Sequence, residues 1–323
     1  MDIKDIHTFL QGHLAGVEAL IEASLRSDIG LLDQANCNLR EHPGKMLRPM
    51  LTLLVAGALG KVNDSTLRYA AATELLHNAT LLHDDVVDGA QLRRGVPTVA
   101  RLLGPEAAVL MGDFWLVRCL DLVLSGKEQP DRVLRLFSAT LSHLTEGELL
   151  QMERTKDGAT TQEDYLRIIY GKTASLFVTA ALSGAISVGA SETLCAKAED
   201  FARFLGTAFQ LRDDILDYVG EALGKPSGAD LKEQKITQPL LCALEKSPQE
   251  AAAVRSMVAR LAGQPDLEQK VLEFVMGQDG PSLAVEVMNG YIGKALTCLE
   301  AFPEGPERDY LEALTRYVGE RLF

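Results

Sequence analysis

One recurring period narrows the fold more than any other feature of the chain. Leu and Ala return at i, i+3 and i+4 from one end to the other, and almost nothing alternates apolar with polar residues at a period of two. Such a chain reads as nearly all helix. Segments with this period run from about residue 5 to 27, onward from Pro49, from Asp64 to Gly89, from Pro105 to Leu124, from Asp131 to Arg154, from Glu163 to Val188 and from Glu192 to Tyr218. Shorter helices fill the C-terminal third and close with Arg308 to Phe323. Asp64 is a good N-cap for its helix and Gly89 a good stop. No linker divides the 323 residues, of which 47% are hydrophobic, enough for one large core. The expectation is an all-α helical bundle folded as a single domain over 1–323.

Composition excludes several classes of function. The formal net charge is −13, whereas a general nucleic-acid binder carries a basic footprint, so no nucleic-acid partner is expected. Cys37, Cys119, Cys195, Cys242 and Cys298 are scattered without CxxC spacing, which suits free thiols in a reducing cytoplasm better than a disulfide framework or a zinc site. The opening MDIKDIHTFL carries acidic residues and no apolar run of the signal-peptide kind. The longest mildly apolar stretches, Leu51 to Leu59 and Val178 to Ala190, fall short of the roughly 20 residues that span a membrane. A cytoplasmic protein without a transmembrane segment is expected.

Against this apolar background the stretch LLHDDVVDGAQLRR, Leu81 to Arg94, gathers three carboxylates, a histidine and two arginines. On a helix Asp84 and Asp88 stand one turn apart on one face, with Asp85 beside them. Like charges that close repel one another, and a hard divalent ion with oxygen ligands is the usual counterweight. A single DDxxD is weak, because carboxylate runs are common on solvated helix faces. The same spacing returns, however, as Asp213, Asp214 and Asp217 in QLRDDILDYVG. Two such clusters on facing helices would hold several Mg²⁺ ions, and through them a diphosphate.

Cations are placed where an anion would need them. Lys45 and Arg48, in HPGKMLRP, stand at a helix entrance suited to anions, although a basic surface turn reads the same way. His77 lies two turns before Asp84 on its face, where an ordinary core histidine is the blander reading. Arg93 and Arg94 either neutralise the acids or fork onto phosphate oxygens. Lys172 follows Gly171, whose place inside a helix signals a kink or a close approach. Gln210 lies one turn before Asp213. A glycine-rich loop, Gly224 to Asp230, carries Lys225 and leads to Lys232 and Lys235, and such a loop either closes over a phosphate or is an ordinary turn. Trp115, the only tryptophan, reads as a buried plug, and the small residues of Val178 to Gly189 allow close packing. No Ser-His-Asp or Cys-His nucleophile is found, nor the Glu-x-x-His pair of a di-iron bundle.

Taken in order, the motifs GKxxRP, HxxxLxHDDxxD, RRGxPT, GDF, GKT, FQLRDDxxD, GKPxGxDL and KxTxP extend over most of the chain. With them the chain resembles the trans-isoprenyl diphosphate synthases, the polyprenyl synthetase family, and within it the medium- and long-chain, octaprenyl-type enzymes. The resemblance implies the type I isoprenoid synthase fold, an all-α bundle around a deep central cavity, in a homodimer, with the two aspartate clusters facing each other at the cavity mouth. It implies that Asp84, Asp85, Asp88, Asp213 and Asp217 ligate Mg²⁺, three ions per active site with substrate bound, and that Asp214 belongs to the catalytic cluster. By the same likeness Arg93, Lys172, Thr173, Lys225, Gln210 and Lys235 serve the allylic diphosphate, while Lys45, Arg48, His77 and Arg94 serve isopentenyl diphosphate. The implied reaction ionises the allylic C–O bond, the isopentenyl double bond attacks the cation, and the released diphosphate takes the proton.

Chain length turns on the residues just before the first cluster, which in this family line the descending tail. Here they are the small Ala79 and Thr80, and DDVVD carries no insertion, so a medium or long product is expected. Phe114 and Trp115 could form its floor. Met46, Pro43 and Val96 depart from residues frequent in the family and leave the proposed ligands intact. A shorter geranylgeranyl or farnesyl product, and a non-catalytic partner subunit of a heteromeric synthase, are the alternatives. A terpene cyclase would instead carry an NSE-type second metal motif and would not need Lys45, Arg48 and Arg94.

Overall fold

The computed structural model describes residues 3–33, 36, 44–93, 95–219 and 228–320. Its helices are α1 (Ile3–Phe9), α2 (Gln11–Ser24), α3 (Leu47–Leu59), α4 (Asp64–Val87), α5 (Val99–Leu103), α6 (Pro105–Leu124), α7 (Pro130–Asp157), α8 (Gln162–Ile169), α9 (Ser175–Ser187), α10 (Glu192–Val219), α11 (Ala229–Lys232), α12 (Gln238–Lys246), α13 (Pro248–Val258), α14 (Leu267–Gly277), α15 (Gly280–Leu299) and α16 (Pro306–Glu320). The chain is all-α, as its period requires. Among the described residues the only strands are β1 (Leu92–Arg93) and β2 (Val96–Pro97), antiparallel with Arg93 opposite Val96. The expected loop after the first aspartate cluster is therefore a minimal hairpin, and Gly95 supplies its left-handed residue at φ 84°.

Local chemistry moves some of the expected boundaries. The opening helix divides at Leu10 into α1 and α2. Asn63, not Asp64, caps α4: its side chain accepts the Thr66 N–H at 3.0 Å while Thr66 Oγ1 accepts the Asn63 N–H at 3.2 Å. This is a reciprocal capping box, and Asp64 lies one residue inside, where its charge suits the positive end of the helix. The helix expected from Glu163 to Val188 is interrupted by a π-helical turn, Tyr170–Ala174, between α8 and α9. Gly171 sits in that turn because a Cβ there would lie 2.4 Å from the His143 carbonyl oxygen. Counted as one stretch, Gln162–Ser187 is long and apolar enough to cross a membrane, longer than the runs read from sequence, yet 83% of its apolar window is buried within the protein.

The chain divides into two compact units, each built from separated segments. The first takes in 1–138, 179–198 and 302–311. Helix α4 is its centre, packed by α2, α3 and α6, and Tyr69, Leu75, Leu76 and Ala79 on it are wholly buried. The Tyr69 hydroxyl donates to the Glu128 carbonyl at 2.6 Å. Gly184 of α9 sits so close to α3 that a Cβ would lie 2.4 Å from the Thr52 carbonyl oxygen, as the small residues of that run suggest.

The second unit takes in 139–178, 199–301 and 312–323. The C-terminal half of α10 belongs to it, and Gly206 lets α10 approach Ala174, where a Cβ would come within 2.7 Å of Ala174 Cα. Phe177 and Phe209 pack with ring centroids 5.3 Å apart. Gln234 Nε2 donates to the carbonyls of Val258 and Ala259 at 3.1 and 2.9 Å, which fastens the chain before α12 to the end of α13.

Candidate active site

In the first unit DDVVD ends α4. Asp84 is half-buried, Asp85 is 4% exposed, and Asp88, the C-cap, is exposed. The middle carboxylate is held: Arg93 of β1 places both Nε and Nη2 2.7 Å from Asp85 Oδ1. The hairpin thus returns Arg93, expected on the diphosphate, to the cluster's buried member. The GDF segment takes a role that its sequence did not announce. Gly112 of α6 leaves room for the His83 ring, since a Cβ would fall 2.2 Å from Nε2. That nitrogen lies 3.2 Å from the Val109 carbonyl and 3.5 Å from Asp113 Oδ1. GDF is the seat of the histidine that precedes the aspartates.

In the second unit DDILD lies in the last turns of α10. Asp213 is exposed, Asp214 is 3% exposed and Asp217 is half-buried. Tyr165 of α8 donates its hydroxyl to Asp214 Oδ2 at 2.6 Å, and Gln210 Nε2 donates to Oδ1 at 2.8 Å. Thr173 Oγ1 in turn donates to Gln210 Oε1 at 2.5 Å. Burial, reinforced by the Asp230 charge, pushes the Asp214 carboxyl up to about 7. Asp213 accepts from Arg212 Nη2 at 2.7 Å. Asp217 accepts the backbone N–H groups of Ala229 and Asp230, each at 3.0 Å, so its carboxylate caps the start of α11. Asp230, raised to about 6 chiefly by burial and then by Asp217, completes this acidic group. Neither Tyr165 nor Asp230 was among the residues expected at the site.

The two clusters share one division of labour. In each, the first and fifth aspartates lie toward solvent while the second is buried and held by side chains. Helix geometry allows this, since i and i+4 share a face and i+1 is turned about 100° away. Both clusters also stand at the C-terminal end of a helix, where the dipole disfavours anions by about 0.3–1 kcal/mol each. Carboxylates collected there are at their best with a cation bound. Among the described residues no three His, Cys, Asp or Glu side chains converge into a self-sufficient metal cage.

Lys45 is exposed and Arg48 half-buried at the start of α3, and His77 is half-buried. Lys172 pairs with Glu148 at 2.5 Å, and Lys235 pairs with Glu233. Arg94 and Lys225 lie outside the described residues. Ala79 is wholly buried, and Thr80 spends its hydroxyl on the His77 carbonyl at 2.8 Å. Trp115 is 3% exposed, with its indole N–H on Asn36 Oδ1 at 3.1 Å, and half-buried Phe114 stacks under the Arg118 guanidinium. A cavity of about 440 Å³ in the first unit is bordered by Leu25, Met46, Glu74 and Asn78. Met46 adopts a left-handed backbone, φ 52°, between Lys45 and Arg48 and buries its side chain there.

Comparison with known proteins places the whole chain. The family model described as Polyprenyl synthetase matches residues 30–275. The chain is 37% identical to the octaprenyl diphosphate synthase of Escherichia coli (strain K12) over 324 aligned residues, covering 99% of each chain. Its structure is similar to that of a decaprenyl diphosphate synthase from Rhodobacter capsulatus, with a TM-score of 0.92, 33% identity and all of both chains covered. It is likewise similar to a polyprenyl synthase from Caulobacter crescentus CB15 solved with calcium and isoprenyl diphosphate, with a TM-score of 0.89, 34% identity, and 99% and 98% of the two chains covered.

Proposed function

The chain belongs to the polyprenyl synthetase family, and on that premise we propose how its residues divide the work of a Mg²⁺-dependent trans-prenyltransferase that condenses isopentenyl diphosphate with an allylic diphosphate, head to tail. The product is a medium- or long-chain polyprenyl diphosphate, and relatives of the octaprenyl and decaprenyl kind do not favour the shorter-product or partner-subunit alternatives. The observation that carries the assignment of residues is the shared burial pattern of the two DDxxD clusters, outer aspartates toward solvent and middle aspartate held.

Asp84, Asp88 and Asp213 present the carboxylates for Mg²⁺, three ions per site with substrate. Asp217 and Asp85 would complete the set of carboxylates that hold the ions; Asp217 also accepts the Ala229 and Asp230 N–H groups, and Asp85 is held by Arg93. Bound Mg²⁺ supplies charge neutralisation that makes diphosphate a better leaving group. Lys172, Lys225 and Lys235 bind the allylic diphosphate, with Arg93, Thr173 and Gln210 beside it. Lys172 and Lys235 are each held by a glutamate, and a diphosphate of higher charge density competes for those ammonium groups. Lys45, Arg48, His77 and Arg94 bind isopentenyl diphosphate. As the C–O bond ionises and the double bond attacks, apolar walls keep water from the cation, and the proton leaves on diphosphate. Ala79 and Thr80 let the tail pass, and Phe114 and Trp115 bound its descent.

Three broader readings accompany this one. A single synthetase domain over 1–323 is supported by the family match at 30–275, which includes residues of both units. A cytoplasmic setting fits the thiols of Cys119, Cys195, Cys242 and Cys298, all free. A homodimer fits the face of α6 that exposes Leu110, Val117 and Leu124 at 68%, 54% and 54%, an apolar stripe that a second copy would cover. Incubation with Mg²⁺, isopentenyl diphosphate and farnesyl diphosphate, with products resolved by length, tests the function. A ladder beyond C20 is expected; a hydrocarbon or alcohol made from the allylic diphosphate alone, or no elongation with any allylic primer, refutes it.

A further inference from the structure

Arg212 lies on α10 directly before the second DDxxD, and it is 6% exposed. An arginine is almost never buried unless it is paired. Among the described residues its one ion pair is with Asp213, where Nη2 and Nε stand 2.7 and 3.2 Å from Oδ1. Side chains at i and i+1 of a helix do not ordinarily face each other. Here the guanidinium is laid over Phe209, one turn earlier, with Arg212 Cζ 4.4 Å from the ring centroid. Phe209 is itself packed on Phe177, so the charge rests on a supported aromatic face, in a cation–π contact that strengthens where water is excluded.

Both arginine nitrogens converge on a single oxygen. Asp213 Oδ2 accepts no hydrogen bond from any described residue, and Asp213 is exposed. The pair thus leaves one hard oxygen of the kind a divalent ion takes, and sets a full positive charge close behind it. Because Arg212 is buried and stacked, that charge stays in place when an ion arrives, and out of solvent it is little screened by salt. A unit charge about 6 Å from a divalent ion opposes it by about 1.4 kcal/mol even at the dielectric constant of water, which is tenfold in affinity. A magnesium diphosphate complex carries net negative charge, and the same guanidinium attracts it.

We propose that Arg212 is a positioning residue of the second cluster that acts through Asp213: it keeps free divalent ions off that carboxylate and favours an ion already carried by diphosphate. Its own burial keeps it from touching substrate. This role rests on the reading of Asp213 as a metal ligand, and it concerns which form of the metal that ligand accepts.

Mn²⁺ titrations of the full chain, followed by electron paramagnetic resonance, test the role without turnover. In the absence of diphosphate Arg212→Met should bind Mn²⁺ about tenfold more tightly than wild type, and adding Asp213→Ala should abolish that gain. With inorganic diphosphate saturating, the gain should be gone or reversed. Arg212→Lys, which keeps the charge, should match wild type in both conditions. The proposal is overturned by a methionine variant that binds free Mn²⁺ no more tightly than wild type, by a gain that survives Asp213→Ala, by an equal gain with diphosphate present, or by a lysine variant that behaves like methionine. Replacing a buried ion-paired group by an apolar one of similar volume is often neutral for stability, and Arg212→Gln removes the same charge should the methionine variant not fold. Asp213→Ala titrated with diphosphate present is the separate control. If it holds as much Mn²⁺ as wild type, the metal reading of Asp213 fails; if it holds less while Arg212→Met changes nothing, that reading stands and only the role of Arg212 falls.

Discussion

Tyr165 and Asp214 meet inside the second unit, the phenol donating to Oδ2 at 2.6 Å. They come from α8 and α10, and the contact turns the middle aspartate of DDILD into an interior group held by a hydroxyl and an amide. Asp213 and Asp217 are left on the turn's outer side. The arrangement makes Tyr165 a support of the cluster, so Tyr165→Phe should destabilise the protein by about 1–3 kcal/mol. Urea unfolding should show a lower midpoint at unchanged slope; an unmoved midpoint would mean that Gln210 alone suffices.

The same burial gives a pH dependence with a definite sign. The carboxyls of Asp214 and Asp230 are raised to about 7 and about 6, above the roughly 3.9 of an unfolded chain. Between about pH 4 and pH 7 the folded protein binds protons that the unfolded chain releases. Their contribution to stability is therefore complete on the acid side and is lost as pH rises through 6 to 7. Unfolding measured in EDTA at pH 5 and pH 8 should show this loss, and Asp214→Asn should reduce the difference between the two; an undiminished difference would locate the effect elsewhere.

Asp84→Ala and Asp213→Ala should each lower turnover by orders of magnitude while changing stability by no more than about 1 kcal/mol, because both carboxylates lie toward solvent, outside the apolar core. Paired kinetic and melting measurements check this. Retained turnover would remove the metal role from that aspartate.

Arg93 and Asp85 form the corresponding pair in the first unit, with side-chain exposures of 36% and 5%. Arg93→Met leaves a buried carboxylate without its partner and should cost more than the double variant Arg93→Met, Asp85→Asn. A double-mutant cycle should return a coupling of about 0.5–3 kcal/mol. Additive effects would show that the ion pair contributes nothing specific.

Ala79 is wholly buried on α4, five residues before Asp84. Ala79→Phe should shorten the product ladder, with about 1–3 kcal/mol of overpacking visible in the melting curve. An identical distribution of products in a folded variant would show that the tail runs past another face of α4.

Much of this site could be read directly. Asp84 with Asp88 and Asp213 with Asp217 are i,i+4 pairs, and a helical period places such pairs on one face without knowledge of any other segment. The start of the helix from about Pro105 to Leu124 was legible, because its proline sits at the first turn. The cap of α4 was missed by one position, since Asn63 and Asp64 are both competent and only the reciprocal bond with Thr66 chooses between them. The contact of Arg93 with Asp85 was not legible, because a one-dimensional reading does not show the hairpin Leu92–Pro97 folding it back onto that carboxylate.

The sequence by itself determined the all-α character, the one-face pairing of the aspartates and the kinship with polyprenyl synthetases, because period and motif spacing are local properties that survive without tertiary context. Tertiary structure alone decided which aspartate of each cluster is buried and what holds it. Tyr165 reaches Asp214 across 49 positions, and Gly112 of α6 receives His83 of α4. Such partnerships follow from which surfaces pack together, and packing is settled by burial over the whole chain.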